Sequence, residues 1–183
     1  MFNKALIFTI LMTLIPLSSY AKNLDRAISV EYMAGARNLE GGRIAYRPHK
    51  TMFETPEWLG LGTIDLEFEM SLSFWEFKGA EVEDLNHAIA FTPIFSQVFY
   101  RIKDKYPVKW EFGIGVTMIE DTRFATKDIG SRFQFEDRMG ISVAFGEQRR
   151  ESLALRYMHY SNGSLNDENP GLDFMNLGYA YRF

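Results

Sequence analysis

Three residues near the C-terminus, His159, Ser161 and Asp173, have types and spacing suited to hydrolysis. A serine hydroxyl is a weak nucleophile until a neighbouring imidazole takes its proton. The imidazole in turn works best as a base when a carboxylate fixes its tautomer and orientation. His159 and Ser161 are separated by one residue. On a β-strand this spacing puts both side chains on one face, about 6.6 Å apart along the backbone, and the two groups can meet across that gap. Asp173 follows a polar, glycine-containing stretch from Asn162 to Gly171 that reads as a loop. The chemistry therefore depends on whether the flanking segments are strands and how they pair.

They read as strands. In Ile64 to Phe74 one face carries Ile64, Leu66, Phe68, Met70, Leu72 and Phe74, and the other carries Asp65, Glu67, Glu69, Ser71 and Ser73. A period of two is the strand signature; a helix would scatter these residues around its circumference. The same alternation marks Ile28–Ala34, Trp110–Met118, Ile141–Phe145, Leu153–Tyr157 and Met175–Phe183. Residues 43–47 and 85–100 carry a weaker form of it, the latter interrupted by Pro93. Turn signals fall at Glu40-Gly41-Gly42, Lys78-Gly79-Ala80, Lys103-Asp104-Lys105 and Gly146-Glu147-Gln148. About eight strands result, several near the 9–11 residues that a tilted membrane-spanning strand needs.

Composition narrows the class. Cysteine is absent, so stability comes from a packed core or a closed barrel and not from disulfides. The net charge of −4 and the lack of a basic stripe exclude a nucleic-acid footprint. Met1-Phe2-Asn3-Lys4, the apolar run Ala5–Leu17 and Ser19-Tyr20-Ala21 together read as a cleaved export signal over residues 1–21. No later segment has 18 consecutive apolar residues, which excludes a transmembrane helix. The expected fold is all-β: an eight-stranded antiparallel transmembrane β-barrel over residues 22–183. Its terminal strand, ending in Phe183, has the form that outer-membrane barrels present to their assembly machinery. The small interior is expected to hold a plug of paired charges from Asp65, Glu67, Glu69, Lys109, Glu111, Arg156 and Arg182, with no aqueous channel.

This frame places the three residues. The lipid-facing row Leu153, Leu155, Tyr157 continues into His159 and Ser161. Counting back by twos from Phe183 gives Tyr181, Tyr179, Leu177, Met175 and then Asp173. Ten residues at ~3.3 Å each, tilted ~40°, rise about 25 Å, the height of the apolar band. Asp173 then sits at the rim opposite Phe183, where an acid on the lipid face costs little. Strands seven and eight form a hairpin, so His159, Ser161 and Asp173 share one face and one height. Any one of them alone is an ordinary interfacial polar residue; their coincidence in parity and height brings a catalytic unit level with that reading. Two other readings remain open on the residues. One is a non-enzymatic small barrel whose loops bind partners at the cell surface. The other is an acyltransferase barrel, which no residue favours.

The run His159-Tyr160-Ser161-Asn162-Gly163, with Asn169-Pro170-Gly171-Leu172-Asp173 and the aromatic terminal strand, resembles the PagL-type lipid A 3-O-deacylases. Asp121-Thr122-Arg123 and Gly130-Ser131-Arg132-Phe133-Gln134-Phe135 are similar to that family as well. The motif resemblance begins near Pro107; the N-terminal half resembles the family in architecture alone. It implies a metal-free and cofactor-free esterase in the bacterial outer membrane. Such an enzyme removes the 3-hydroxyacyl chain at the 3-position of lipid A, the lipid of lipopolysaccharide. Ser161 would be the nucleophile, His159 the base and Asp173 the orienting acid. Asn162 and the backbone at Ser164 would contribute to an oxyanion hole, and Asn169 matches a polar position close to the site. Two departures from the family pattern stand out: Asp173 replaces a longer Glu, and Ser164 stands where the family has Gly.

Overall fold

The computed structural model describes residues 25–36, 38–79 and 83–183. The export signal expected over residues 1–21 lies outside the described residues. The strands are β1 (Ala27–Gly35), β2 (Leu39–Arg47), β3 (Lys50–Glu54), β4 (Thr63–Lys78), β5 (Glu83–Ile102), β6 (Tyr106–Ile119), β7 (Arg123–Phe124), β8 (Lys127–Asp128), β9 (Phe133–Phe145), β10 (Glu151–Ser161) and β11 (Leu172–Arg182). A single 3-10 turn spans Glu57–Leu59. Strands β1, β2, β4, β5, β6, β9, β10 and β11 pair antiparallel in that order. The β1–β11 ladder closes the ring, giving the expected eight-stranded barrel. Closure removes the free edges that an open sheet would expose to lipid.

Alternation along each strand sorts the side chains. Tyr32, Met70, Leu72, Ile89, Phe112, Ile114, Met139, Leu155 and Leu177 face outward, while Glu31, Glu69, Ser71, Arg138, Arg156 and Asn176 are buried inside. The apolar surface is thus outside, the arrangement that a hydrocarbon solvent favours.

Some boundaries differ from those expected. Gly41 and Gly42 are not a turn but lie inside β2, which runs from Leu39. A Cβ at Gly41 would lie 2.5 Å from the carbonyl oxygen of Phe74 and 2.8 Å from the Trp75 ring. Glycine is there because β2 and the bulky Trp75 of β4 approach so closely. The weak pattern of 85–100 belongs to the longest strand, β5. Pairing with β6 is absent at Thr92–Pro93, as proline's missing N–H requires, and the register shifts between Val98 and Tyr100. β3, the 3-10 turn and the small β7–β8 hairpin are additions that period-two patterning does not reveal.

The interior is layered. Toward the end distant from the termini, Met33, Leu39, Trp75, Phe77, Ile129, Met158, Tyr160, Leu172 and Phe174 form an apolar plug. Trp75 lies 4.9 Å from the Tyr160 ring and 5.2 Å from that of Phe174, centroid to centroid. Below it lies the charged layer. Arg43 reaches Glu136 at 2.6 Å and Glu69 at 2.8 Å; Arg138 reaches Glu69 at 2.7 Å; Arg156 reaches Glu111 at 2.6 Å. All seven lumen residues expected from the pattern point inward, joined by Glu31, Arg43, Arg47, Glu136 and Arg138. The filling is incomplete at the end carrying the termini, where a cavity remains.

Candidate active site

β10 and β11 carry the chemical residues because their parity and register cooperate. The ladder pairs Leu155 with Leu177, Tyr157 with Met175 and His159 with Asp173. His159 and Asp173 are therefore direct neighbours on the outer wall, at the end distant from the termini. His159 Nδ1 lies 2.7 Å from Asp173 Oδ1. An ionised carboxylate can only accept, so Nδ1 carries the ring proton and Nε2 is left as the basic lone pair. The imidazole is about one-third exposed and the carboxylate about half. Both lie at the ends of their strands, at the rim of the barrel distant from the termini.

Ser161 is the last residue of β10, half-buried, on the same outward face and opposite Phe135 of β9. Ser161 and His159 are a strand repeat apart, and no hydrogen bond joins the Ser161 Oγ to the imidazole. Such contacts commonly tighten only when substrate binds.

Three further contributors surround the dyad. Tyr157, one outward position below His159, donates its hydroxyl to the same Asp173 Oδ1 at 2.5 Å. Two donors thus converge on one oxygen and fix the short aspartate side chain. Gly171 adopts φ +64°, and a Cβ there would lie 2.7 Å from His159 Cε1 and 3.5 Å from Nε2. The glycine backbone walls the basic edge of the ring. Its carbonyl accepts a hydrogen bond from Lys127 Nζ at 3.0 Å, which ties the β7–β8 hairpin to the site. Asp137 of β9 is the third, and it flanks His159 in direct register on the side away from Asp173. Its parity with Met139 and Ile141 is legible in the sequence; its pairing with His159 is not.

The loop residues 162–171 are held from below. The backbone N–H of Asn162 donates to Asn169 Oδ1 at 2.9 Å. The Asn162 side chain is fully buried, and its amide donates to Glu168 O at 2.7 Å and Ile129 O at 3.3 Å. Asn166 Nδ2 donates to Gly130 O at 3.0 Å. Asn162 and Asn166 therefore pin the loop onto the β6–β9 connection, Asn169 braces it from within, and the Asn162 side-chain N–H groups are engaged inside. Gly163 and Ser164 follow with φ of +62° and +63°, exposed beside Ser161. Among the described residues no cluster of three or more His, Cys, Asp or Glu side chains is arranged to hold a metal ion.

The sequence profile of the lipid A 3-O-deacylase (PagL) family matches residues 40–182. The chain belongs to that family. Lipid A deacylase PagL of Bordetella bronchiseptica is 29% identical over 187 aligned residues, covering 99% of this chain and 97% of its own. The Pseudomonas aeruginosa protein of the same name is 29% identical over 171 residues, covering 92% and 94%. The crystal structure of the outer membrane enzyme PagL superposes with a TM-score of 0.67 at 24% identity, over 86% of this chain and 99% of that one. Membership of the PagL family thus extends across the N-terminal half, where the motifs themselves are silent.

Proposed function

We propose that this protein is a lipid A 3-O-deacylase of the outer membrane that works by serine catalysis. The observation that carries the reading is the His159–Asp173 hydrogen bond of 2.7 Å on the outer wall, with Ser161 on the same face. A barrel with a purely structural role has no use for this unit at its lipid-facing rim. Family membership supports the substrate.

Ser161 Oγ attacks the carbonyl carbon of the ester at the 3-position, and its proton passes to His159 Nε2. The negative charge on the former carbonyl oxygen needs donors aimed at it, each typically worth ~3 kcal/mol. The backbone N–H groups of Gly163 and Ser164 are suited to this, since neither is engaged among the described residues. Asn162 and Asn169 hold the backbone that presents them. The intermediate collapses when His159 returns the proton to the departing sugar oxygen, leaving the acyl chain on Ser161. Water, deprotonated by the same imidazole, then releases a 3-hydroxy fatty acid. Asp173, held by Tyr157, keeps the ring in the required tautomer throughout. The acyl chain has an apolar wall to lie along, formed by Phe135, Met139, Tyr157 and Leu155 below the site.

The test is the mass of lipid A from cells carrying each variant. Wild type removes one 3-hydroxyacyl chain. Ser161→Ala and His159→Ala each leave lipid A unchanged while still folding, as followed by heat-dependent gel mobility, because both positions lie at the rim. A folded Ser161→Ala protein that still removes the chain excludes the serine mechanism. A wild type that leaves every lipid A species intact returns the protein to the class of non-enzymatic barrels.

A further inference from the structure

The lumen end that carries the chain termini holds a cavity of about 640 Å³, at the opposite end of the barrel from His159 and untouched by the mechanism above. Seven basic side chains line it, against the three acids Asp65, Glu67 and Glu111. Those acids are already engaged. Asp65 receives Lys109 at 2.5 Å and Lys50 at 3.0 Å; Glu67 receives Arg182 at 2.6 Å and Arg47 at 3.5 Å; Glu111 receives Arg156 at 2.6 Å, and Glu69, outside the lining, holds Arg47 at 2.8 Å. Arg149 and Arg150 have no acidic partner among the described residues. On the arginines that line it, two guanidinium nitrogens are buried without a hydrogen-bond acceptor, Nη2 of Arg47, a residue only 6% exposed, and Nε of Arg150; the others among the described residues belong to Arg43 and Arg138 in the charged layer.

Positive charge in excess of its counter-charges, enclosed by low-dielectric walls, focuses potential into the space between them. An unmatched donor on a buried charged group is costly as well. One ligand chemistry relieves both. We propose that this cavity is a binding site for a phosphate group, held by Arg47 and Arg150 with Lys50 and Lys109 at its side. A phosphate carries up to two negative charges near neutral pH and offers several acceptor oxygens, which match the fork of a guanidinium. Inorganic phosphate brings up to two charges and a phospholipid's phosphodiester one, each with free oxygens that a guanidinium fork can hold. The group has two sources, free inorganic phosphate and the headgroup of a phospholipid reaching the mouth, where Met52 is exposed. The inference stands independently of the deacylase reading.

The experiment uses the folded full chain in uncharged detergent without phosphate buffer. Inorganic phosphate is titrated by calorimetry in one arm and soluble short-chain phosphatidylglycerol in the other. Saturable one-to-one binding in either arm, weakened at least tenfold by Arg150→Gln and by Arg47→Gln but unchanged in Ser161→Ala, is the expected result. The arm that saturates names the source. Arg47 also holds Glu69 at 2.8 Å, so its variant risks misfolding; Arg150→Gln breaks no ion pair among the described residues and carries the test alone if needed. No saturable binding in either arm, or binding that Arg150→Gln leaves unchanged, overturns the proposal.

Discussion

In the proposed mechanism a carboxylate that orients an imidazole must itself be held, and one oxygen of Asp173 meets both groups. Its Oδ1 accepts from the Tyr157 hydroxyl and from His159 Nδ1. Asp173 has a short side chain, and the direct β10–β11 pairing and the Tyr157 hydroxyl hold its Oδ1 against His159. A hydrogen bond to a charged acceptor is typically worth about 1.5–3 kcal/mol. Tyr157→Phe is therefore expected to lower kcat about tenfold with little change in KM. Asp173→Ala lowers it further yet leaves more activity than Ser161→Ala, since an orienting group is only part of a cooperative unit. Asp173→Glu is tolerated. Steady-state assays on lipid A in mixed micelles separate these, with Asp137→Ala as the control. If Asp137→Ala proves the more damaging of the two acid variants, the orienting carboxylate belongs to β9.

At the scale of elements, the loop 162–171 matters as much as the strands. It is anchored by Asn162 and Asn166 to the carbonyls of Ile129 and Gly130, braced within by Asn162 on the carbonyl of Glu168, and ends on Gly171, whose positive φ brings bare backbone against the imidazole. Gly171→Ala adds a methyl group where only 2.7 Å separates it from the His159 ring, in a conformation that L residues adopt at a cost of ~1 kcal/mol. The ring must shift to make room for it. The expected outcome is a loss of kcat of at least tenfold. Gel mobility and the midpoint of thermal unfolding, followed by circular dichroism, should change little, because the change sits in one surface loop. A Gly171→Ala enzyme with wild-type kcat would remove the backbone wall from the account of the site.

For the whole molecule, the lumen sets the stability. Arg43 touches Glu31, Glu69 and Glu136, which come from three different strands, and lies within 3.0 Å of the Tyr160 hydroxyl. Removing one partner from a buried ion-pair network leaves uncompensated charge and typically costs ~3–5 kcal/mol. Arg43→Leu should thus lower the midpoint of urea unfolding in detergent markedly. Adding Glu136→Leu to it should recover part of the loss, because the second change removes a stranded carboxylate. A double variant no more stable than the single would mean that the remaining acids dominate the cost.

Parity is local, and the sequence by itself determined everything that follows from parity. Alternation along Ile64–Phe74, Leu153–Ser161 and Asp173–Phe183 put His159, Ser161 and Asp173 on the outer wall and Glu67, Glu69 and Arg156 inside. The same counting, which sends His159 and Ser161 outward, sends Asn162 inward; its motif position suggested a different role for its side chain. Boundaries were less legible where glycine is used for close approach, as at Gly41, because the reason lies on the neighbouring strand. Register decides which residues from distant segments meet, and register is a property of pairing and closure. Two outward acids flank His159, Asp137 and Asp173, and only the folded barrel brings Asp173 Oδ1 to 2.7 Å from the ring. Tyr157 on that carboxylate, Gly171 against the imidazole and the surplus of cations at the terminal end of the lumen likewise arise from closing the sheet, which brings together residues that no local pattern links.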